Sequence, residues 1–478
     1  MNARPVAAAL ALALCGGAAH AQSNAELKAM LDQALKTIQE LNDRVKALEQ
    51  QKAGPASAPA PAPARAAASA AQAPAPATAA AAASAPSAAS VSPPTVAAAP
   101  VVAPNATAEA GTPDAAKARV EVYGQAMVDA IQDFKRMDPT WNATMRPSKI
   151  PVTCPGDPGC GKEGATIFSV RQSSLGFKAF VPTPYGEIRT DVSFDLFATD
   201  GGTQVHWLNA WAELGMFGVG QTYSVFMDID AFPNTIDYWG PSGMVFLRNA
   251  QLRVTPFSRD GMTVAIALES PGSAVDTGKV SQVDPELGAG ITGWNRRPDL
   301  TAAFRLDRDW GHVQAAGILR EVGYQNPASA SGNPSGHRTG YGLNLAGAVK
   351  VFGKGKLSWQ VAGGKAIASY LNDGGVDLAP DNSLKAEAVP SVGWLVYYNH
   401  PWSDRWSSAI GYSEHRQENS GGQLGNAFRK GAYSSANVLF VPVKNVTTGA
   451  ELIWGQLTHK DGSSAEDYRL QFSTKVTF

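Results

Sequence analysis

The sequence predicts an all-β protein: a closed antiparallel transmembrane β-barrel of about 16 strands, preceded by an N-terminal coiled-coil helix and an Ala/Pro linker. Three observations predict it. The chain ends on an amphipathic strand: Tyr468, Leu470, Phe472, Thr474, Val476 and Phe478 alternate with Arg469, Gln471, Ser473, Lys475 and Thr477. Successive strand side chains point to opposite faces, so one face is apolar and the other wet. Second, residues 118–478 break into amphipathic runs of about 9 to 14 residues whose connections alternate between short and long, as in bacterial outer-membrane barrels. Third, mean hydropathy is −0.15 with only 17% charged residues, too polar for a helical membrane protein and suited to strands whose two faces cancel. A C-terminal edge strand of a soluble sandwich is the alternative reading of the last strand alone. It does not account for the asymmetry of the connections.

Taken in order, residues 1–21 are expected to be a signal peptide. Arg4 precedes an apolar run from Val6 to Leu14, and Ala19 and Ala21 frame a small-residue cleavage site. The run is too short to span a bilayer. Cys15 lies within it after Leu14, where a lipidation signal wants a small residue, so ordinary cleavage removes it.

Residues 22–52 are expected to form a periplasmic coiled-coil helix. Leu31, Ile38 and Val45 fall at a positions, and Leu27, Ala34, Leu41 and Leu48 at d positions. Arg44 at g and Glu49 at the following e can pair between parallel chains. A single amphipathic helix lying on another surface is the alternative, and the seam does not fix the number of strands. Residues 53–117 are almost entirely Ala, Pro, Ser, Val and Thr, and should be an extended or disordered linker.

In the barrel, residues 118–478, short turns are predicted at 182–186, 218–220, 258–261, 353–355, 403–405 and 443–445. Long loops are predicted at about 135–164, 228–243, 271–297, 325–337, 372–386 and 417–430. Ile188, Val192, Phe194 and Leu196 oppose Glu187, Arg189, Asp191, Ser193 and Asp195, and Leu300, Ala302, Phe304 and Leu306 oppose Thr301, Arg305 and Asp307. The run at 165–180 changes phase near Ser173–Leu175, which predicts a bulge or a boundary there. Cys154 and Cys160, in an exported loop rich in Pro-Gly pairs, predict a disulfide, with free thiols as the alternative. No metal site follows from them, and no cofactor is implied.

Several stretches then resemble known proteins. Val120–Gly124 looks like the opening strand of trimeric bacterial porins. Ser174–Lys178 with the turn after it, the segments 213–215 and 220–222, and Pro442–Val446 resemble the DcaP-like branch, which couples a coiled coil to a porin barrel. The terminal Phe478 resembles the signal read by barrel-assembly machinery. The resemblance implies a homotrimeric outer-membrane channel for small anionic solutes, notably dicarboxylates, with its N-terminal segment in the periplasm.

The residues allow a separate reading of selectivity, because a wide lumen discriminates only at a constriction. The loop after the fifth strand is the expected constriction, with Asp228, Asp230 and Asp237 as its charges. A Ca²⁺ site, or an acidic extracellular loop outside the lumen, are the alternatives. Basic residues expected to line the pore are Lys178, Arg189, Arg253, Arg305, Arg320, Lys350, Arg469 and Lys475, with Arg171 and Arg248 of uncertain phase. Arginine suits carboxylates because its planar fork binds them bidentately. The formal net charge of −1 implies no nucleic-acid partner. No Ser- or His-centred nucleophile–base pair stands out, so a channel rather than an enzyme is expected. The rival reading is a structural protein that tethers periplasmic partners or cell wall through its coiled coil.

Overall fold

A computed structural model describes residues 117–157, 159–329 and 332–478. The predicted signal peptide, heptad helix and linker, save Lys117, lie outside the described residues.

Sixteen antiparallel strands form a closed wall. They are β1 (Arg119–Asp133), β2 (Ser174–Thr183), β3 (Gly186–Phe197), β4 (Thr203–Leu214), β5 (Phe217–Tyr223), β6 (Arg248–Arg259), β7 (Met262–Glu269) and β8 (Asp299–Arg308). There follow β9 (Gly311–Gln325), β10 (Ser335–Val351), β11 (Gly355–Lys365), β12 (Pro390–Pro401), β13 (Trp406–Gln417), β14 (Phe428–Phe440), β15 (Val446–His459) and β16 (Ser464–Thr477). Closure pairs β1 with β16, from Gln125 opposite Thr477 to Asp133 opposite Arg469. Phe478 and Gly124 then exchange two backbone hydrogen bonds of 3.1 Å each. In a bilayer every backbone donor and acceptor needs a partner inside the protein, and this closure leaves no sheet edge.

The last strand keeps the predicted alternation. Leu470, Phe472 and Val476 are exposed on the outside, while Arg469 and Gln471 have no exposed surface. The predicted phase change is a real interruption. Thr166–Ser169 and β2 both pair with β1, and the four residues between them leave the ladder. Gln172, in that gap, turns its amide to the Asp129 carboxylate (3.1 Å) and the Ile236 carbonyl (3.2 Å).

One predicted turn is corrected. Gly218 and Gly220 do not turn the chain but lie inside β5, and the turn is at Gly215 and Met216, where Gly215 adopts φ +58°. A Cβ on Gly218 would stand 2.1 Å from the Trp211 ring. The glycine marks a close approach rather than a reversal, a distinction that composition does not carry. The turn between β8 and β9, at Asp309 and Trp310, was not foreseen.

The other connections share the opposite rim: L1 (134–173), L2 (198–202), L3 (224–247), L4 (270–298), L5 (326–334), L6 (366–389), L7 (418–427) and L8 (460–463), of which L2 and L8 are as short as the turns. L1, L3 and L6 fold into the barrel. Met145 and Ile150 of L1, Phe226, Met244 and Phe246 of L3, and Ile367 and Tyr370 of L6 join the inward-facing Ile318, Leu395, Tyr397 and Ile453 in one apolar cluster. Each large side chain buried this way contributes roughly 1.5–3 kcal/mol. Inward apolar wall residues are therefore places where a loop covers the wall.

The closing seam carries a buried ion pair. Arg469 of β16 donates to both carboxylate oxygens of Asp133 on β1, at 2.6 and 3.0 Å, with almost no exposed side-chain surface on either. Removing one partner of such a pair costs about 3–5 kcal/mol, because it strands the other charge. Asp133→Asn should therefore lower the temperature at which unboiled protein loses its compact gel mobility. The Asp133→Asn/Arg469→Gln double variant should recover part of that loss.

Candidate constriction site

L3 enters the barrel at the top of β7. The Glu269 carboxylate accepts the Ser224 hydroxyl (2.9 Å) and the Val225 amide (3.0 Å), which turns the chain inward as β5 ends. Polar residues at inward wall positions then satisfy the loop backbone. Asn344 of β10 donates to the Phe226 carbonyl and Gln314 of β9 to the Met227 carbonyl, both at 2.8 Å. Buried peptide groups require such partners.

The next turn places the charges. Asp228, fully buried, accepts Arg305 Nη1 at 3.1 Å and faces His312 Nε2 at 2.9 Å. Asp230 lies 2.8 Å from Arg305 Nη2, and Asp307 completes the set, two residues along β8 at 2.8 Å. Arg305 is thus held by three carboxylates, with 21% of its side chain exposed. Charge-assisted bonds of this length are the strong kind, and the fork fixes the geometry of L3 against β8 and β9. Because Asp228 and Asp230 both face a guanidinium and Asp237 lies elsewhere, the three aspartates do not converge on a cation site.

L3 then crosses to the far wall. Two consecutive amides, Ile236 (2.5 Å) and Asp237 (2.8 Å), donate to Glu451 Oε2 on β15. Asp237 is not a pore-surface charge: it is 2% exposed and accepts Thr144 Oγ1 (2.9 Å), the Met145 amide (3.0 Å) and Tyr433 Oη (3.3 Å). Burial pushes its carboxyl above the ordinary carboxylate range, against the lowering pull of Arg469. Tyr238 donates to Asp195 of β3 at 2.7 Å and stacks on Phe197 at 3.9 Å. Beside it, Arg146 of L1 lies over Trp141 and Trp239 and pairs with Asp373 of L6 at 2.9 Å, clamping three loops together. The loop returns against β12 and β13, where Gly243 and Gly393 touch backbone to backbone. A Cβ on Gly243 would lie 2.1 Å from the Glu414 carbonyl oxygen.

The basic residues are not placed alike. Arg320 and Arg469 have no exposed side-chain surface. Arg320 holds Asp299 (3.1 Å) and Asp377 (3.6 Å) beneath L6, so neither arginine meets water in the channel, contrary to expectation. Lys475 is 7% exposed. Arg305 sits at the constriction. Arg189 and Lys350 lie near the short-turn rim, Arg189 against Glu187 at 3.0 Å. Lys178 rests 5.0 Å from the Tyr123 ring centre, and Arg253 is 5.0 Å from that of Trp211. Arg248 lies over Tyr223, and Arg171 bonds Thr203 of β4 at 3.0 Å. Tyr123, Lys178, Asp191, Trp211 and Arg253 are all half-buried, whereas the inner faces of β10–β15 lie largely buried under L3. The open lumen therefore runs along the short-turn side of β1–β6.

Sequence reasoning missed His312 and Lys356. Both alternate in phase with recognisable inward residues, His312 with Gln314 and Lys356 with Gln360, so period-two phase was the available signal. Lys356 is exposed and interacts electrostatically with Asp230 and Asp228. Cys154 and Cys160 of L1 are joined, with Cα atoms 5.7 Å apart.

Comparison with known proteins agrees with this architecture. The family model described as "DcaP outer membrane protein" matches residues 96–466. The solved outer membrane channel DcaP of Acinetobacter baumannii is 20% identical with a TM-score of 0.65, over 77% of this chain and 100% of that one. An anion-selective porin from Comamonas acidovorans is 9% identical with a TM-score of 0.49, over 76% and 100%. OmpT of Vibrio cholerae is 11% identical with a TM-score of 0.46, over 76% and 98%. No functionally curated sequence matches the chain.

If the contact at Gly243 seats L3, Gly243→Val should lift the loop from the wall at a cost of about 1–3 kcal/mol. Single-channel recordings should then show larger and noisier conductance from a barrel that still keeps its heat-modifiable mobility.

Proposed function

This chain belongs to the DcaP outer membrane protein family and is an outer-membrane porin; from that premise we propose that its channel prefers small anionic solutes, dicarboxylates among them. One observation carries the proposal: how the charges of the inner wall are matched. Its carboxylates are engaged by the protein itself. Asp228, Asp230 and Asp307 surround Arg305, Asp191 accepts Tyr123 Oη at 2.5 Å, and Glu269 and Glu451 accept loop donors. Lys178, Arg253 and Lys356 make no ion pair among the described residues. Lys178 and Arg253 rest on aromatic rings, which leave a cation its charge. A passing carboxylate thus meets cations that no protein carboxylate holds in a direct ion pair. Passage is passive diffusion through water, with selectivity set by this wall and by the narrowing at L3.

The proposal extends to assembly as a homotrimer, with the heptad helix in the periplasm. In support, β1 begins at the short-turn rim, which faces the periplasm in bacterial barrels.

Planar-bilayer recordings under a salt gradient test the preference. The expected reversal potential has the sign of anion selectivity, and small dicarboxylates should interrupt the current. Lys178→Glu combined with Arg253→Glu should lower the anion-to-cation permeability ratio at least several-fold without unfolding the barrel. Cation preference in the unaltered channel would sink the proposal.

A further inference from the structure

The wall is lowest where β5 and β7 run, at 7 and 8 residues the shortest of its strands. L4 overhangs this sector from the long-loop rim and leaves a notch of about 580 Å³ on the outside of the barrel. Its floor is apolar and lipid-facing: Val219, Leu252 and Leu268 are 52%, 59% and 46% exposed. Its roof carries two adjacent arginines, Arg296 and Arg297, both exposed.

The two arginines differ in their partners. Arg296 is held by Glu321 through two hydrogen bonds of 3.1 Å. Arg297 lies in no ion pair among the described residues and shares that single carboxylate's field. At two other places near this rim an outward cation does have a carboxylate: Lys135 meets Glu466 at 2.7 Å, and Arg416 meets Glu414 at 2.9 Å. The notch sets a guanidinium without an ion pair directly above apolar wall.

We infer that this notch is a binding site for a phosphorylated glycolipid of the outer leaflet. Its acyl chain lies along Val219, Leu252 and Leu268, and a headgroup phosphate rests on Arg297. The leaflet follows from topology, because long loops face outward in bacterial barrels. The head chemistry follows from charge, because a guanidinium fork matches phosphate oxygens and is poorly satisfied by a zwitterion that brings its own cation. The tail follows from the floor, where an acyl chain covers apolar surface that a polar partner would not. The site is on the lipid side of the wall, so it is independent of what the lumen selects.

The test uses full-length protein, delipidated in mild detergent and reloaded with bisphosphorylated lipid A or its dephosphorylated form. Native mass spectrometry reads bound lipid per protein. The wild type should retain the bisphosphorylated form. Arg297→Glu should reduce retention about tenfold or more, the loss expected for one charged hydrogen-bonded contact. Leu252→Trp, which fills the floor, should reduce retention of both forms. Conductance should stay unchanged in both variants, which separates failure here from failure of the porin reading. Gel mobility of unboiled samples confirms that each variant is folded, and the floor and roof variants test the site independently. Equal retention by wild type and Arg297→Glu would overturn the inference, as would equal retention of the two lipid forms. So would a disulfide between chains in Leu252→Cys, which would mean that a second copy fills the notch.

Discussion

A loop can lie inside a barrel only if its peptide groups find partners there, and most of this structure follows from that requirement. L3 runs through the lumen for more than twenty residues with little regular structure of its own. Without water, each unpaired amide or carbonyl costs on the order of 1–3 kcal/mol. The wall answers with Asn344, Gln314, Gln360, Ser413, Asn437, Glu269 and Glu451, each at an inward strand position and each bonded to L3 backbone. These residues belong to eight-residue-long to seventeen-residue-long strands whose outward neighbours are mostly apolar. The same period of two thus serves the lipid on one side and the loop on the other.

Once L3 is seated, the lumen has two unlike halves. The wall that L3 covers, with the ends of L1 and L6, becomes a packed core holding Tyr397, Tyr433 and Leu395 with no exposed surface. The wall on the short-turn side of β1–β6 remains wet. Charges on the covered side are structural: Arg320, Arg469, Asp237 and Glu451 are paired or hydrogen-bonded, and a solute does not reach them. Charges on the wet side can act on a solute. Listing inward cations without knowing which half they occupy therefore overcounts the selective ones.

This explains how much could be read from the chain. Strand phase was legible wherever one face meets lipid, so Leu470 and Phe472 were placed outward and Arg469 inward correctly. The fifth strand and the loop after it were also found, because the aspartates and aromatics of 228–243 interrupt the alternation. The turn at Gly215 was misplaced to Gly218 because a glycine under the Trp211 ring and a glycine in a turn look alike in one sequence. Depth was not legible. Asp237 and Asp230 sit seven residues apart in one acidic loop, but only the structure separates a carboxylate sealed by Thr144 and Tyr433 from one beside the channel. Partners supplied by L1 and by β14 lie about a hundred and two hundred residues away, beyond any local pattern.

The charge balance at the constriction narrows what Arg305 can do. With three carboxylates around one guanidinium, its neighbourhood is not a cationic trap; Lys356 only partly offsets the acids. Arg305 instead fixes the edge of L3, where Asp230 and Asp307 keep some exposure. Lys178 and Arg253 stand on β2 and β6 of the same open wall. Acidic and basic groups at separate places on that wall give the channel a lateral field. In a low-dielectric surround such a field is weakly screened compared with bulk water. On the proposed anion preference, a solute with separated negative groups would be drawn to Lys178 and Arg253 and kept from Asp230 and Asp307, so orientation would be favoured together with entry. A compact monovalent anion feels the same attraction without the orienting torque. Preference among anions should therefore depend on the spacing of their charges, and this property resides in the position of L3 rather than in any one arginine.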